Sequence, residues 1–566
     1  MRYFNQNNLR LIRIFFLLLL MYCIPSANAQ NLHLDIKGNS PTETTTIDSV
    51  GYTKTFANAK AITEEVTRFS NLLKRAGYIE SELLENLKTN DSTFLYKFSL
   101  GRKTNFIHIY IGKDPTLKAL AFPAMATDTV RLPFSETEAF MNNAMQRLEN
   151  AGYSLATLRL TNFRKADRSL YADLELQSGA QRQLNDIVIN GYDKFPEGHK
   201  RNIKRLYKDK TFNQENLAKI HADFQKFRFV TQPKYPEILF SQDTTKVYVY
   251  LEKAKPNRFD GFIGFANDEE TQKLTFTGYL DLLLVNVMNA GEELTLYWKS
   301  DGKEQKTFNV GVDVPYIFKS PFGIKAALNI FKQDSTFQNT RTSLDVGYFF
   351  DYNTRLYVGY QATESSDIQN TNNFSISDFS NTFYTTNFEY AAFRPEDILF
   401  PQQTIASVRA GIGSRESNQT MNNQFFTTVN LSHNFYLNQK NVVNIRSQNH
   451  YLQSDTYIVN ELFRFGGINS IRGFNENSLQ ANMFTSILTE YRFVPAPNIY
   501  IHSIIDYGYF RDESSKNGGG LLGLGIGFGL LTNNGLLNLV YANGSTDDQS
   551  IKLSNSIVHI SFKTTF

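Results

Sequence analysis

The chain has 566 residues, an aromatic content of 14%, a formal net charge of +3 and one cysteine, Cys23. Arg2, Arg10 and Arg13 account for the positive surplus, so the remainder is near neutral, which argues against a nucleic-acid binder. With a single thiol there is no internal disulfide framework and no Cys-ligated zinc site.

The amino terminus reads as a secretory signal over residues 1–29. The three arginines precede an apolar run from Ile14 to Ile24, and Ala27-Asn28-Ala29 gives a small-x-small cleavage site. Tyr22 is too bulky for the site preceding a lipidated cysteine, so Cys23 belongs to the discarded segment. Beyond residue 30 no apolar stretch is long enough for a membrane-spanning helix. A closed barrel remains open to such a chain, because closure pairs every backbone group without an edge.

Three helix-to-strand junctions recur: Leu73 to Tyr78, Leu148 to Tyr153, and a weaker copy from Phe224 to Phe229 without the glycine. Their spacing is about 75 residues, the signature of a repeated module. Amphipathic helices precede them at about 59–76, 135–151 and 213–227, and two β-rich runs follow each. The third copy also begins with a strand, Asp186 to Asn190, giving the order strand, helix, helix, strand, strand. The first helix of the second copy is not visible, and residues 30–55 match no element of the repeat.

From Arg258 onward helical periodicity gives way to about sixteen alternating stretches. The clearest, Leu522 to Leu530, has its apolar residues on one face and glycines on the other. A glycine face buries nothing itself and suits a lumen wall approached closely by another element. Short turns are expected at 289–291, 351–353, 495–497 and 533–535, with longer polar stretches at 363–380 and 454–480 all on the opposite rim. The chain ends with Val558, Ile560, Phe562, Thr564 and Phe566 on one face, an ending that resembles the export signal of outer-membrane barrels, although Thr564 is unusually polar. The predicted architecture is a transmembrane antiparallel β-barrel of about sixteen strands, 256–566, preceded by three small α+β domains at 30–113, 114–180 and 181–255.

Before the twelfth strand stand Phe465-Gly466-Gly467 and Ile471-Arg472-Gly473-Phe474; the thirteenth carries Asp506-Tyr507-Gly508. These resemble the BamA/TamA superfamily of outer-membrane assembly and translocation barrels, with the three repeats resembling its POTRA domains. The resemblance implies that the sixth far-side loop folds into the barrel and that Arg472 pairs with Asp506. Ile504 replaces the family's aromatic residue, and Glu490 resembles the acidic position of the twelfth strand. Independently, an arginine inside a lumen needs a carboxylate, which its planar fork matches bidentately, and alternation puts Asp506 and Gly508 on one face.

No catalytic, metal-binding or cofactor motif is present, and the eight histidines are scattered. The resemblance therefore implies an outer-membrane assembly or translocation factor in a Gram-negative cell, not an enzyme. Its arm would lie in the periplasm, its clients would be unfolded polypeptides, and lipoprotein accessory subunits and outer-membrane lipids would be further partners. The alternatives are a two-partner secretion transporter for one dedicated client and, from another class, a passive pore. The seam between the first strand (Phe259 to Ala266) and the last (Ile557 to Phe566) would open laterally.

Overall fold

The computed structural model describes residues 31–566, apart from 113–118, 124–126, 268–273, 301–304, 370–374, 395, 534, 548–550, 552–555 and 566. The signal segment 1–29 and Phe566 lie outside the described residues.

Residues left unplaced by sequence patterning supply the first strand and helix of the arm. In Leu32–Gly38, Leu34 and Ile36 point inward, and the strand runs parallel to Thr93–Ser99, itself paired with Glu82–Lys88. The helix Pro41–Val50 follows, with Pro41 in its first turn and Ser40 as its cap, accepting from the Glu43 backbone N–H at 3.2 Å. Its run of threonines hides it: β-branched residues are weak helix formers. Thr44, Thr45 and Thr46 direct their hydroxyls back to Ser40, Pro41 and Thr42 carbonyls at 3.0–3.1 Å. The helix Ala59–Arg75 then lays Ile62, Val66, Phe69 and Leu73 against the sheet.

The second sheet corrects a boundary. Phe106–Tyr110 is a central strand, parallel to Ser169–Gln177 and antiparallel to Thr129–Pro133, with Thr157–Ala166 on the far edge. A division at 113/114 would cut it from the sheet it centres, so the second domain begins before Phe106. The third sheet pairs Asp186–Asn190 in parallel with Thr245–Tyr250, which pairs with Glu237–Phe240. The helices Glu197–Tyr207 and Gln214–Gln225 complete that domain. At the first two junctions the glycine ends a helix in the left-handed region: Gly77 has φ +103° and Gly152 φ +92°. Tyr78 N–H reaches Leu73 O, and Tyr153 N–H reaches Leu148 O, both at 2.9 Å.

Residues 31–182 and 183–566 belong to two compact units. The second contains the third small domain and a closed sixteen-stranded antiparallel barrel, running from Arg258–Asn267, counted here as the first strand, to Ile557–Thr565. Its outer wall exposes Val358 (65%), Tyr384 (72%) and Ile412 (64%), while Asp345, Asn387, Gln424 and Asn444 are buried on the inner side. An apolar exterior around a polar interior is the inside-out pattern of a membrane barrel.

Connections follow the expected sidedness only in part. The two longest, 368–378 and 454–482, lie on the rim opposite the arm's entry. On the entry rim, however, 315–321 and 394–401 are longer than 334–336 and 418–419 on the far rim. Residues 363–367 are strand, not loop: Thr363, Ser365 and Asp367 are buried in the lumen, and their polarity disguised them in the sequence.

The third domain is packed onto the entry rim through an aromatic cluster around His199. Its ring stands edge-on to Phe227, Phe229 and Tyr316 and tilted against Tyr352. A Cβ at Gly291 would overlap the imidazole. Asn202 Nδ2 donates to Ser320 O at 2.9 Å, Lys226 pairs with Asp351 at 3.0 Å, and Arg228 pairs with Glu293. Among the described residues neither His199 nitrogen has a hydrogen-bond partner. Burial, with a smaller contribution from the Arg355 guanidinium, pushes its pKa down to about 3.

The folded ring therefore stays neutral at pH values where the unfolded one binds a proton. This contribution is complete above pH 6.5, the ordinary histidine value, and is lost as pH falls from there toward about 3, at about 1.4 kcal/mol per pH unit. His199→Leu should lower stability at pH 7 yet flatten this acid dependence, as read from urea midpoints of the 183–255 domain by pulse proteolysis at pH 7 and pH 4.5. Parallel acid losses in wild type and variant would refute the assignment.

Candidate functional site: the inserted loop and its lumenal anchors

The connection 454–482 turns back into the barrel instead of projecting from it. Phe463–Phe465 and Leu479–Ala481 form a short hairpin at its base. Gly466 (φ +106°) and Gly467 (φ +95°) then bend the chain toward a tip at Ile471–Phe474. Both bends need glycine: a Cβ on Gly466 would stand 2.5 Å from Asn475 O, and one on Gly467 3.0 Å from Glu476 Cα.

Arg472 is 1% exposed and Asp506, on the thirteenth strand (Ile499–Asp512), is fully buried. Arg472 Nε donates to Asp506 Oδ2 at 2.7 Å and Nη2 to Oδ1 at 2.6 Å, a bidentate fork. The Arg472 backbone N–H adds a third bond to Oδ2 at 3.0 Å. Nη1 reaches Glu490 on the twelfth strand (Met483–Ala496), and Nη2 reaches Thr489 O at 3.4 Å. Glu490 also binds Arg492, at 2.6 Å, and Arg446, at 3.5 Å, with His502 Nδ1 at 3.9 Å. The loop thus completes a lumenal network of opposite charges.

Shape reinforces charge. Ile471 is fully buried with Phe465, Phe484, Leu488, Phe510 and Leu521, while Phe474 packs partly buried beside them. Gly508 leaves the space Ile471 fills; a Cβ there would lie 3.2 Å from its Cδ1. Ile504, 1% exposed, lies on the same inward face as Asp506. On the fourteenth strand (Asn517–Thr532), Gly523 lies under the Arg472 carbonyl, and a Cβ would overlap it. Gly527 and Gly529 lie under the rings of His502 and Tyr500. Gly473 (φ +88°) lies flat on Asn543 and Gly544 of the fifteenth strand, Gly535–Thr546. On the glycine face Gly523 receives the loop, while Gly527 and Gly529 make room for side chains of the thirteenth strand.

The closing strand alternates as read: Val558, Ile560 and Phe562 are exposed on the outer wall, with His559 and Ser561 lining the interior cavity. Sequence reasoning missed the loop's base. Arg415 and Glu461 form a buried ion pair, and Arg415 Nη2 also binds Thr456 Oγ1 at 2.7 Å. Asn460 donates to Ser365 Oγ at 2.7 Å. No spacing signal links such distant positions. Arg492 was legible, since two residues from Glu490 on a strand is the same face. The entry-rim connection 394–401 also turns inward. Phe400 is buried against Tyr500, ring centroids 4.9 Å apart, with the Arg492 guanidinium 4.4 Å from its ring centre.

No protein-family model and no curated protein matches the sequence. Solved structures do match in fold. CdiB from Acinetobacter baumannii aligns at 13% identity and TM-score 0.52, covering 81% of this chain and 89% of its own. CdiB from Escherichia coli aligns at 14% identity and TM-score 0.51, covering 89% and 98%. BamA from Haemophilus ducreyi lacking POTRA domains 1–3 gives 14% identity and TM-score 0.47, covering 81% and 98%. The chain shares the barrel-and-arm fold of CdiB.

Removing one partner of a buried pair leaves an uncompensated charge, at a cost of about 3–5 kcal/mol. Asp506→Ala is therefore expected to release the tip, read as new protease cleavage within 454–482 while the barrel still resists heating in detergent. Gly523→Val should do the same by displacing the Arg472 backbone, and Arg472→Lys should give an intermediate result because a point charge cannot form the fork. A loop as protected in Asp506→Ala as in wild type would rule out the anchor.

Proposed function

We propose that this chain is an outer-membrane factor of the BamA/TamA type that assembles or translocates polypeptides, with residues 30–255 forming a periplasmic arm. One observation carries the reading: a loop is fixed by Arg472 to Asp506 and Glu490 inside a barrel whose ends are only weakly joined. Among the described residues the first and last strands pair through Arg258–Thr565 and Phe259–Thr564, whereas the first strand pairs with the second along Arg258–Asn267. A barrel zipped so briefly at one joint can part there, while the inserted loop preserves the rest. The arm supplies a matching receptor edge. Glu82–Lys88 borders its sheet with Leu83, Leu84 and Leu87 exposed, which suits an unfolded client adding a strand.

Clients would therefore be extended, unfolded polypeptides, passed from arm to seam; lipoprotein subunits docking on the arm and lipids at the seam fit the same reading. The lumen counts against a passive pore, since the loop tip and Phe400 enter it from opposite rims and leave a cavity of about 920 Å³ between walls. A two-partner transporter for one client has the same mechanical needs.

Depletion of the protein followed by quantification of the whole outer-membrane proteome separates these readings. Broad loss of barrel proteins is the expected result. Loss of one exported polypeptide would move the assignment to dedicated secretion, and unchanged protein levels with reduced small-solute uptake would overturn it in favour of a pore.

A further inference from the structure

The inserted loop makes a contact that the Arg472 network does not require. Beyond its tip, Glu476 pairs with Lys299 Nζ and accepts from Tyr297 Oη at 3.3 Å. Lys299 and Tyr297 are two apart on the third strand, Glu293–Ser300, and so share one face. The loop's other holds, Arg472 on Asp506 and Gly473 on Gly544, are on strands thirteen and fifteen. Between the fifteenth strand and the third come the sixteenth, the first and the second. The joint of the barrel lies in that interval. The loop therefore grips one wall with Arg472 and the opposite wall with Glu476, spanning the seam from inside.

We propose that Glu476, with Lys299 and Tyr297, is the seam latch: a positioning cluster that holds the first-strand wall against the last-strand wall and must let go before the barrel opens. Two further features fit. Gly467 has no Cβ, and one placed there would lie 3.0 Å from both Cα and Cβ of Glu476, so the Gly-Gly bend seats the acid directly. The cavity is lined from one side of the joint by Asp260 and Tyr279 and from the other by His559 and Lys563, so it adjoins the seam there. Among the described residues the strap spans the two-pair joint of the first and last strands. Both side chains are about a third exposed (37% and 30%), so the pair is screened by water and salt and is weak enough to break reversibly.

The inference rests on the lateral seam of the proposed function, and its test uses purified full-length barrel in lipid vesicles without any client. It can fail while the assembly reading stands, and the depletion experiment can fail while the latch stands. Phe259→Cys and Thr564→Cys place a reporter pair across the joint. A brief oxidising pulse then traps the closed seam. Glu476→Lys, which sets two cations face to face, should lower the trapped fraction by about twofold or more, and Glu476→Gln should lower it less. Restoring opposite charges in Lys299→Glu/Glu476→Lys should recover trapping. High salt should reduce trapping in the parent but not in Glu476→Gln. Each variant is first scored for heat-modifiable migration, so an unfolded Glu476→Lys leaves Glu476→Gln and the salt series to decide. Equal trapping in parent and folded variants, or no recovery in the charge swap, would overturn the latch.

Discussion

A guanidinium drawn into a protein interior must meet negative charge where it comes to rest, and Arg472 meets it from two strands at once. Asp506 takes the fork, Glu490 takes the remaining edge, and Arg446 and Arg492 hold Glu490 in turn. A buried pair of this kind contributes little net stability, because desolvation offsets attraction, but it is severe toward any arrangement that leaves one member alone. Its effect is specificity. The loop rests where Arg472 meets both Asp506 and Glu490.

The barrel wall is shaped around that demand. The fourteenth and fifteenth strands give up side chains at Gly523 and Gly544 so that backbone can lie on backbone. Gly508 gives up its own so that Ile471 can fill an apolar socket. Glycine weakens a strand, so three such concessions in one sector of the wall make sense where a second chain segment supplies the missing packing. That sector, the loop tip and the joint of the barrel are neighbours. The loop crosses the interior beside the joint where, among the described residues, the first and last strands pair only through Arg258–Thr565 and Phe259–Thr564.

At the entry rim the requirement is different. The last small domain is fixed by aromatic packing around a neutral, buried His199, with ion pairs at Arg228 and Lys226 around it. Here the burden falls on shape and exclusion of water.

The sequence by itself determined what depends on local period and on residue type. Two-residue alternation marked the barrel strands and the outward set Val558, Ile560 and Phe562; the repeated Ala-Gly-Tyr marked helix ends; and the pairing of Arg472 with Asp506 followed from charge need and a family resemblance. Where local signals conflict with the fold, they misled. The threonine-rich helix Pro41–Val50 matched no element of the repeat because tertiary packing of Ile47, not propensity, holds it. Phe106–Tyr110 was assigned to the wrong neighbour because parallel pairing joins residues far apart in the chain. Only the tertiary structure decided the remaining meetings across the lumen. Arg415 with Glu461, Lys299 with Glu476 and Phe400 with Arg492 are brought together by closure of the barrel and the inward turn of two connections, and no periodicity in a linear sequence records a distance across a lumen.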